Sequence, residues 1–389
     1  MNTQVIQTFK NPPPLSLYIH IPWCIRKCPY CDFNSHKSPQ NLPQESYIKA
    51  LEADLEKALP LIWGRSIRSV FIGGGTPSLF DGDKINQILT IVRKLTHLSP
   101  IAEITLEANP GTVDSSHIKD YAKSGVNRIS IGVQSFNNSH LKSLGRVHDS
   151  DKAATAINIA KQHIDNINID LMYGLPNQNL DELYEDIEMA LSFKPNHISY
   201  YNLTIEPNTI FASQTPDNLP DNDLCYQMQD IIQKKLTQNH YYQYEVSAYA
   251  RNSFQCSHNL NYWLFGDYLG IGAGAHSKLT MQNKIIRQVR QKHPQTYMDN
   301  TINNKHIIEE KTISHSETPF EFALNSFRLT DGFLISSFGE TTGLPLSIIM
   351  PKLLKASDLG FLELSHNRVT TTLKGKNFLN DLLMLFLED

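Results

Sequence analysis

Long apolar runs are missing from the 389 residues, and so are long runs of a single charge. No stretch of about 18 apolar residues occurs, so a membrane-spanning helix is not expected. The net charge is −4 and no long basic run appears, so nucleic acid and anionic membranes are poor default partners. The opening MNTQVIQTFKNPPP has no charged region leading into an apolar stretch. No secretory leader is read there, and the expected compartment is the cytoplasm. Glycine (19) and proline (20) are too few for a collagen-like or low-complexity chain. Cysteine is scarce, and five in this length do not build a disulfide scaffold. What remains is 40% hydrophobic and 19% charged residues, which can bury a substantial core. The length suggests one large domain plus a smaller one.

A strand followed by a helix recurs along the first 240 residues. Apolar or alternating runs read as strands at 15–22, 69–73, 103–108, 128–133, 166–173 and 197–203. Amphipathic stretches of helical period lie between and after them, at 45–59, 84–95, 115–124, 152–162, 181–192 and 223–239. Asn179 with Glu182 three residues later resembles a capping arrangement. Six such units imply an α/β fold with a parallel sheet and helices outside, either an open doubly wound sheet or a full or partial barrel. In both, ligands gather at the carboxyl ends of the strands. Each predicted strand ends in polar or glycine-rich residues, which suggests one large site. The core domain is read as 1–250. An aromatic and glycine-rich connecting region follows at 251–316, with 281–316 polar enough to look like an insertion or linker. Residues 317–389 read as helices around a short hairpin, resembling a winged helix. The helix predicted at 345–357 is mostly apolar with two lysines, so DNA binding does not follow.

Cys24, Cys28 and Cys31 lie within eight residues, on a loop after the first predicted strand. Thiolates this close can bind a metal, hold a cluster or pair as a disulfide. Zinc usually takes four ligands in two separated pairs, and a disulfide is disfavoured in a reducing compartment. The spacing C-x3-C-x2-C suits three corners of a [4Fe-4S] cube whose fourth iron has no protein ligand. An open iron can chelate a small molecule through amine and carboxylate groups. The alternative, three cysteines packing as small hydrophobes, sits poorly with Pro29 and the charged Arg26-Lys27 pair in the loop.

This pattern resembles the radical S-adenosylmethionine (SAM) superfamily, whose signature is C-x3-C-x2-C on such a loop. The resemblance implies a partial (β/α)6 barrel, a [4Fe-4S] cluster and SAM, with a smaller C-terminal α+β, winged-helix-like domain. It narrows through Tyr18-Ile-His-Ile-Pro22, Cys31-Asp-Phe-Asn-Ser35, Ile72-Gly-Gly-Gly-Thr-Pro77 and Glu107 in LEANP. It extends through Gly132-Val-Gln134-Ser-Phe136, Leu144-Gly-Arg146, Ile169-Asp170 to Pro176, Tyr244 to Tyr249, and His258-Asn-Leu-Asn-Tyr-Trp263. These look like the oxygen-independent coproporphyrinogen III oxidase branch, over residues 18 to about 280 and more loosely beyond. Two features depart from the oxidases. Their motif continues to a fourth cysteine where this chain has Phe33, and only 17 residues precede Tyr18. Both features, with the HNxxYW stretch at 258–263, match the HemW-type heme chaperones. That resemblance implies a protein that binds heme and passes it to an apoprotein, with respiratory enzymes as expected acceptors and no oxidase activity. The rival reading is anaerobic oxidative decarboxylation of coproporphyrinogen III. A homodimer and a peripheral membrane contact through the acceptor are left open.

The resemblance also assigns roles. Cys24, Cys28 and Cys31 would hold the cluster. Gly74, Gly75 and Thr76 would contact SAM; three glycines let a backbone approach a ligand, though they also make a tight turn. Glu107 would accept from SAM, or else partner a nearby cation. Gln134, Arg146 and Asp170 match positions contacting SAM, with a structural role open for Arg146. Tyr18 would lie near the methionine end and Tyr30 would stack on adenine, unless either is ordinary core. His258 would ligate heme iron, or be a packed, hydrogen-bonded histidine. Tyr262 and Trp263 would flank a porphyrin or join the domains. Cys225 and Cys256 are far from the cluster in sequence, and Cys256 reads as an inert buried thiol rather than a heme ligand.

Overall fold

The structure, a computed structural model, describes residues 7–387. Residues 1–6, part of the stretch read above for a leader, and residues 388–389 lie outside the described residues. Strands β1 (Leu15–Ile21), β2 (Ser66–Gly74), β3 (His97–Ala108), β4 (Arg128–Gln134), β5 (Asn166–Tyr173) and β6 (His197–Asn202) pair in parallel in that order. The helices between them include α1 (Gln44–Ala58), α2 (Gly82–Leu95), α3 (Ser115–Ser124), α4 (Ser150–Lys161) and α5 (Leu180–Ser192), and α6 (Asn222–Gln238) follows β6. Local chemistry sets their ends. Asp114 accepts from the Ser116 and His117 N–H groups at the start of α3, and Gly125 ends that helix with φ 100°. Asn179 and Glu182 cap α5 reciprocally, the arrangement their spacing predicts.

The strands divide their side chains by alternation. On β4, Ile129, Ile131 and Val133 are buried in the main apolar core, whereas Arg128, Ser130, Gly132 and Gln134 line a cavity on the opposite face. β5 repeats the pattern, with Ile167, Ile169 and Leu171 in the core and Asn168, Asp170 and Met172 towards the cavity. Apolar helices on one face and polar groups on the other make this sheet the wall of a partial (β/α)6 barrel.

Both edges are extended. The hairpin β7 (Tyr242–Glu245) and β8 (Ala248–Ala250) adds antiparallel strands beside β6. After helix α7 (Ser257–Trp263), β9 (Asp267–Ile271) joins β1 as a seventh parallel strand. β10 (His276–Thr280), β11 (Ile285–Arg290) and β12 (Ile307–Thr312) continue antiparallel. The order is β12-β11-β10-β9-β1-β2-β3-β4-β5-β6-β8-β7. Residues 281–316 are therefore not the insertion or linker that their polarity suggests. They form two strands and a helix of the sheet flank, and Arg290 and His306 among them are buried against Asp54. Asp267 accepts from Arg65 (2.8 Å), Lys278 (2.9 Å) and the Thr280 N–H (2.8 Å). Asp54, on α1, accepts from Tyr297 (2.8 Å) and lies 3.3 Å from Arg290 and 3.1 Å from His306.

A second apolar cluster, including Phe322, Phe333, Phe338, Leu353 and Phe386, sits under the C-terminal helices and a three-stranded sheet. Two helical stretches there are interrupted, the first of them expected at 345–357. A 3-10 turn at Leu346–Ile348 precedes the helix Met350–Asp358. The last helical stretch divides into Leu373–Asn377 and Leu379–Met384, because Phe378 leaves helical geometry. Among the described residues, no helix is long and apolar enough to cross a membrane.

Candidate functional site

The concave face encloses a cavity of about 630 Å³. A shallower hollow of about 540 Å³ around Arg93, His97 and Asn127 holds none of the candidate groups. Every residue singled out as a cofactor or metal candidate lines the larger cavity: Tyr18, Cys24, Cys28, Tyr30, Cys31, Gly74, Gly75, Thr76, Glu107, Gln134, Arg146, Asp170 and His258. Cys225 and Cys256 do not line it. Cys225 donates to the Pro220 carbonyl (3.8 Å), and buried Cys256 donates to Glu103 (3.5 Å).

The cysteine loop leaves the carboxyl end of β1 and is closed by its own short ladder, Trp23 and Cys24 pairing with His36 and Lys37. The Asn34 amide donates to the carbonyls of Ala273 (2.9 Å) and Lys292 (2.8 Å), so the loop rests on the sheet extension. The three thiols are half-buried and unpaired, and burial raises the pKa of Cys24 and of Cys31. Arg146 donates to the Cys28 sulfur (3.6 Å) and to the Gly132 carbonyl (2.7 Å). The buried Ser35 hydroxyl lies beside Cys24 and Cys31 and offsets part of the effect of burial on both thiols. Among the described residues, no three His, Cys, Asp or Glu side chains converge on a single-ion site. Thiols that share a cavity but not a point suit separate irons of a cluster better than one zinc ion. The cation at Cys28 and the Ser35 hydroxyl would both face the negative charge of such a cluster.

The glycines after β2 are required by the protein itself. A Cβ on Gly75 would lie 2.5 Å from the Trp23 carbonyl oxygen, and one on Gly74 would meet the His20 ring at 2.5 Å. Gly74 also has φ 115°. The Gly75 and Thr76 N–H groups donate to Ile21 and Trp23 carbonyls (both 2.7 Å), tying this turn to the start of the cysteine loop. Ligand approach is thus not what demands glycine here, although the turn does face the cavity.

Glu107 accepts from the Gly74 N–H (3.0 Å), and burial, then the Asp170 charge, pushes its pKa up to about 8. Asp170 is held by Ser130 (2.8 Å) and Asn168 (2.7 Å), with its pKa raised by burial. Tyr18 shares a hydrogen bond with His20 (3.0 Å), whose other nitrogen meets the Asn34 carbonyl (2.8 Å). Tyr30 packs beside Phe211, and burial raises its pKa. Gln134 ends β4 with φ 72°, which turns it out of strand geometry at the cavity mouth.

His258 is not a free imidazole. Its Nδ1 meets the Ser69 hydroxyl and its Nε2 the Tyr262 hydroxyl, each at 3.0 Å. Burial, with Arg128 adding to it, lowers its pKa to about 3. Glu103 caps the helix that carries it, accepting from the Ser257 and His258 N–H groups (both 3.1 Å). Trp263 lines the cavity and also carries Arg328 over its ring at 4.3 Å, so it faces the site and joins the C-terminal unit at once.

Sequence reasoning missed Arg128, Ser130, Asn168, Ser199 and Tyr201, which also line the cavity. Alternation along RISIGVQ, NINIDLMY and HISYYN contains the signal, because each is a polar residue at a cavity-facing alternate position of its strand. Tyr201 is 41% exposed yet enclosed by the wall, so its accessible surface is cavity surface.

Comparison with known proteins follows the same division. Residues 18–190 match the Radical SAM superfamily model, and 313–378 match the HemN C-terminal domain. The chain is 46% identical over 383 residues to "Heme chaperone HemW" of Haemophilus influenzae, covering 97% of this chain and 99% of that one. It is 45% identical over 379 residues to the Escherichia coli protein of the same name, with the same coverage. Among solved structures, the coproporphyrinogen III oxidase HemN of Escherichia coli superposes with a TM-score of 0.81 over 96% of this chain and 90% of that one. At 23% identity, that likeness concerns the fold.

Proposed function

Because the chain belongs to the HemW heme chaperones of the radical SAM superfamily, we propose that it binds heme beside a SAM-coordinating [4Fe-4S] cluster and hands the heme to apoproteins, respiratory enzymes among them, in the cytoplasm. The observation that carries this reading is near-full-length identity to chaperones rather than a shared fold alone. In the proposal Cys24, Cys28 and Cys31 hold three irons, and Arg146 balances thiolate charge at Cys28. A cluster with one open iron supplies a binding position for an amino-acid group and a source of single electrons. The turn Gly74–Thr76, with Tyr18, Tyr30, Glu107, Gln134 and Asp170, surrounds SAM. His258 enters as the post that fixes Tyr262 and the cavity wall, since both its nitrogens already have partners.

Phe33 supports the chaperone over the oxidase. It is 60% exposed at the cavity mouth, where the oxidase pattern has a fourth cysteine. An oxidase must hold a porphyrinogen propionate arm against the reacting group, and a small displacement lowers the rate by orders of magnitude. Binding a large flat ligand demands less, since burial of its apolar faces suffices. The test is anaerobic incubation of the iron-loaded protein with SAM, reductant and coproporphyrinogen III, beside a titration with heme. The expected result is saturable heme binding and no protoporphyrinogen IX. Formation of protoporphyrinogen IX would replace the proposal with the oxidase.

A further inference from the structure

Arg128 is a buried cation without a bonded partner. It is 2% exposed, and its Nε has no hydrogen-bond acceptor. No described carboxylate forms an ion pair with its guanidinium; Glu103 and Asp170 influence it only from farther away. Both acids are already committed. Glu103 spends its oxygens on Cys256 and on the first N–H groups of α7. Asp170 spends its own on Ser130 and Asn168. The neighbouring imidazoles of His197 and His258 have lowered pKa values, by burial first and by Arg128 second, so neither brings a competing charge.

A guanidinium stays charged in a protein and offers five donors in a planar fork. Buried charges are ordinarily paired. This one instead lines the cavity. It shares that property with Arg146 Nε and Trp263 Nε1, which are also buried without acceptors and also line the cavity. All three orphaned atoms are donors. Arg128 therefore has no acceptor among the described residues, and a ligand in the cavity can supply one.

Position separates Arg128 from the cluster end. It opens β4, paired with Thr105 and Asn166. Gly132, whose carbonyl holds Arg146 beside Cys28, lies four residues further along the strand, roughly 13 Å away at about 3.3 Å per residue. The groups proposed to surround SAM lie mostly at that far end. We propose that Arg128 is the receptor for a carboxylate of the tetrapyrrole, one of its propionates, bound by the planar fork at the inner end of the cavity. This rests on the reading that the cavity takes heme. Arg128 thereby orients the macrocycle, with its carboxylate inward and the opposite edge towards the cysteine loop.

The test uses the iron-loaded full chain and two probes, heme and heme dimethyl ester, in which both propionates are blocked. Wild type should favour the free acid by about tenfold or more, the scale of a charge-assisted pair. R128Q should bring the two affinities within about twofold of each other, R128K should keep part of the preference, and SAM affinity should not change. Equal binding of acid and ester by wild type would overturn the proposal without any variant, even should R128Q fail to fold. Retention of the full preference by R128Q, or a tenfold loss of SAM affinity in it, would also overturn it. If wild type bound neither probe, the heme reading itself would fail and the proposal with it.

Discussion

The flank built by β9–β12 and the concave face of β1–β6 both bury charge, but they complete it differently. On the flank, Asp267 is matched by Arg65, Lys278 and Thr280, and Asp54 by Arg290, His306 and Tyr297. Each of these two acids uses both of its oxygens on partners within the protein. On the concave face, Arg128, Arg146 and Trp263 keep unused donors. Carboxylates surrounded by cations mark the region that holds the sheet extension to α1 and so supports Asn34 and the cysteine loop. Incomplete pairing marks the region that waits for acceptors from outside the chain. Substitutions should accordingly act on stability in the first and on ligands in the second.

The largest effect is expected at the cysteine loop. Cys28→Ser should remove nearly all bound iron after anaerobic reconstitution while circular dichroism stays that of the parent, since no folded-state partner except Arg146 is lost. Cys225→Ser, outside the cavity, should retain full iron content by the same assay and serves as the control. Next, Asp54→Ala should lower unfolding free energy by about 3–5 kcal/mol, because it strands Arg290 inside the protein. Burial pushes the Asp54 carboxyl up, but Arg290, then His306 and Tyr297, outweigh it and hold its pKa below the ordinary value. With the folded value depressed, the stabilisation is present above the unfolded value near 3.9 and is lost as pH falls through the folded one. Denaturant titration from pH 7 down to acid should show that loss in the parent and not in the variant.

Glu107 has the opposite sign. Its folded pKa, about 8, lies above the ordinary 4.5, so ionising it destabilises the cofactor-free fold as pH rises through that window. Glu107→Gln should therefore gain stability relative to the parent between pH 5 and 8, while losing SAM affinity; a difference independent of pH would show that Glu107 is not buried as described. The smallest stability change is expected at Arg128. Arg128→Leu removes no hydrogen bond, so its unfolding free energy should move by no more than about 1 kcal/mol. A loss as large as that of Asp54→Ala would erase the distinction between the two regions.

Much of this was legible beforehand. The six strand–helix units and the polar strand ends located the cavity, and C-x3-C-x2-C picked out three thiols that line it. Three things were not legible. Polar residues 281–316 read as a linker because hydropathy cannot tell a solvated charge from Arg290 paired inside with Asp54. The tightness of the turn at Gly74 and Gly75 did not show, because sequence does not reveal that Trp23 and His20 press against their backbone. Arg128 escaped notice because a strand-opening arginine usually points to solvent, and only the register of β4 turns it inward. His258 was visible as a candidate, but its two hydrogen bonds were not.

The most direct test of the account is heme transfer. The iron-loaded chain, saturated with heme and freed of excess, would be mixed anaerobically with an apo form of a b-type respiratory subunit, and the two proteins separated. The account predicts that the Soret absorbance moves to the acceptor faster than from an equal amount of heme on serum albumin. Heme that stays with the chain, or moves no faster than from albumin, would contradict it.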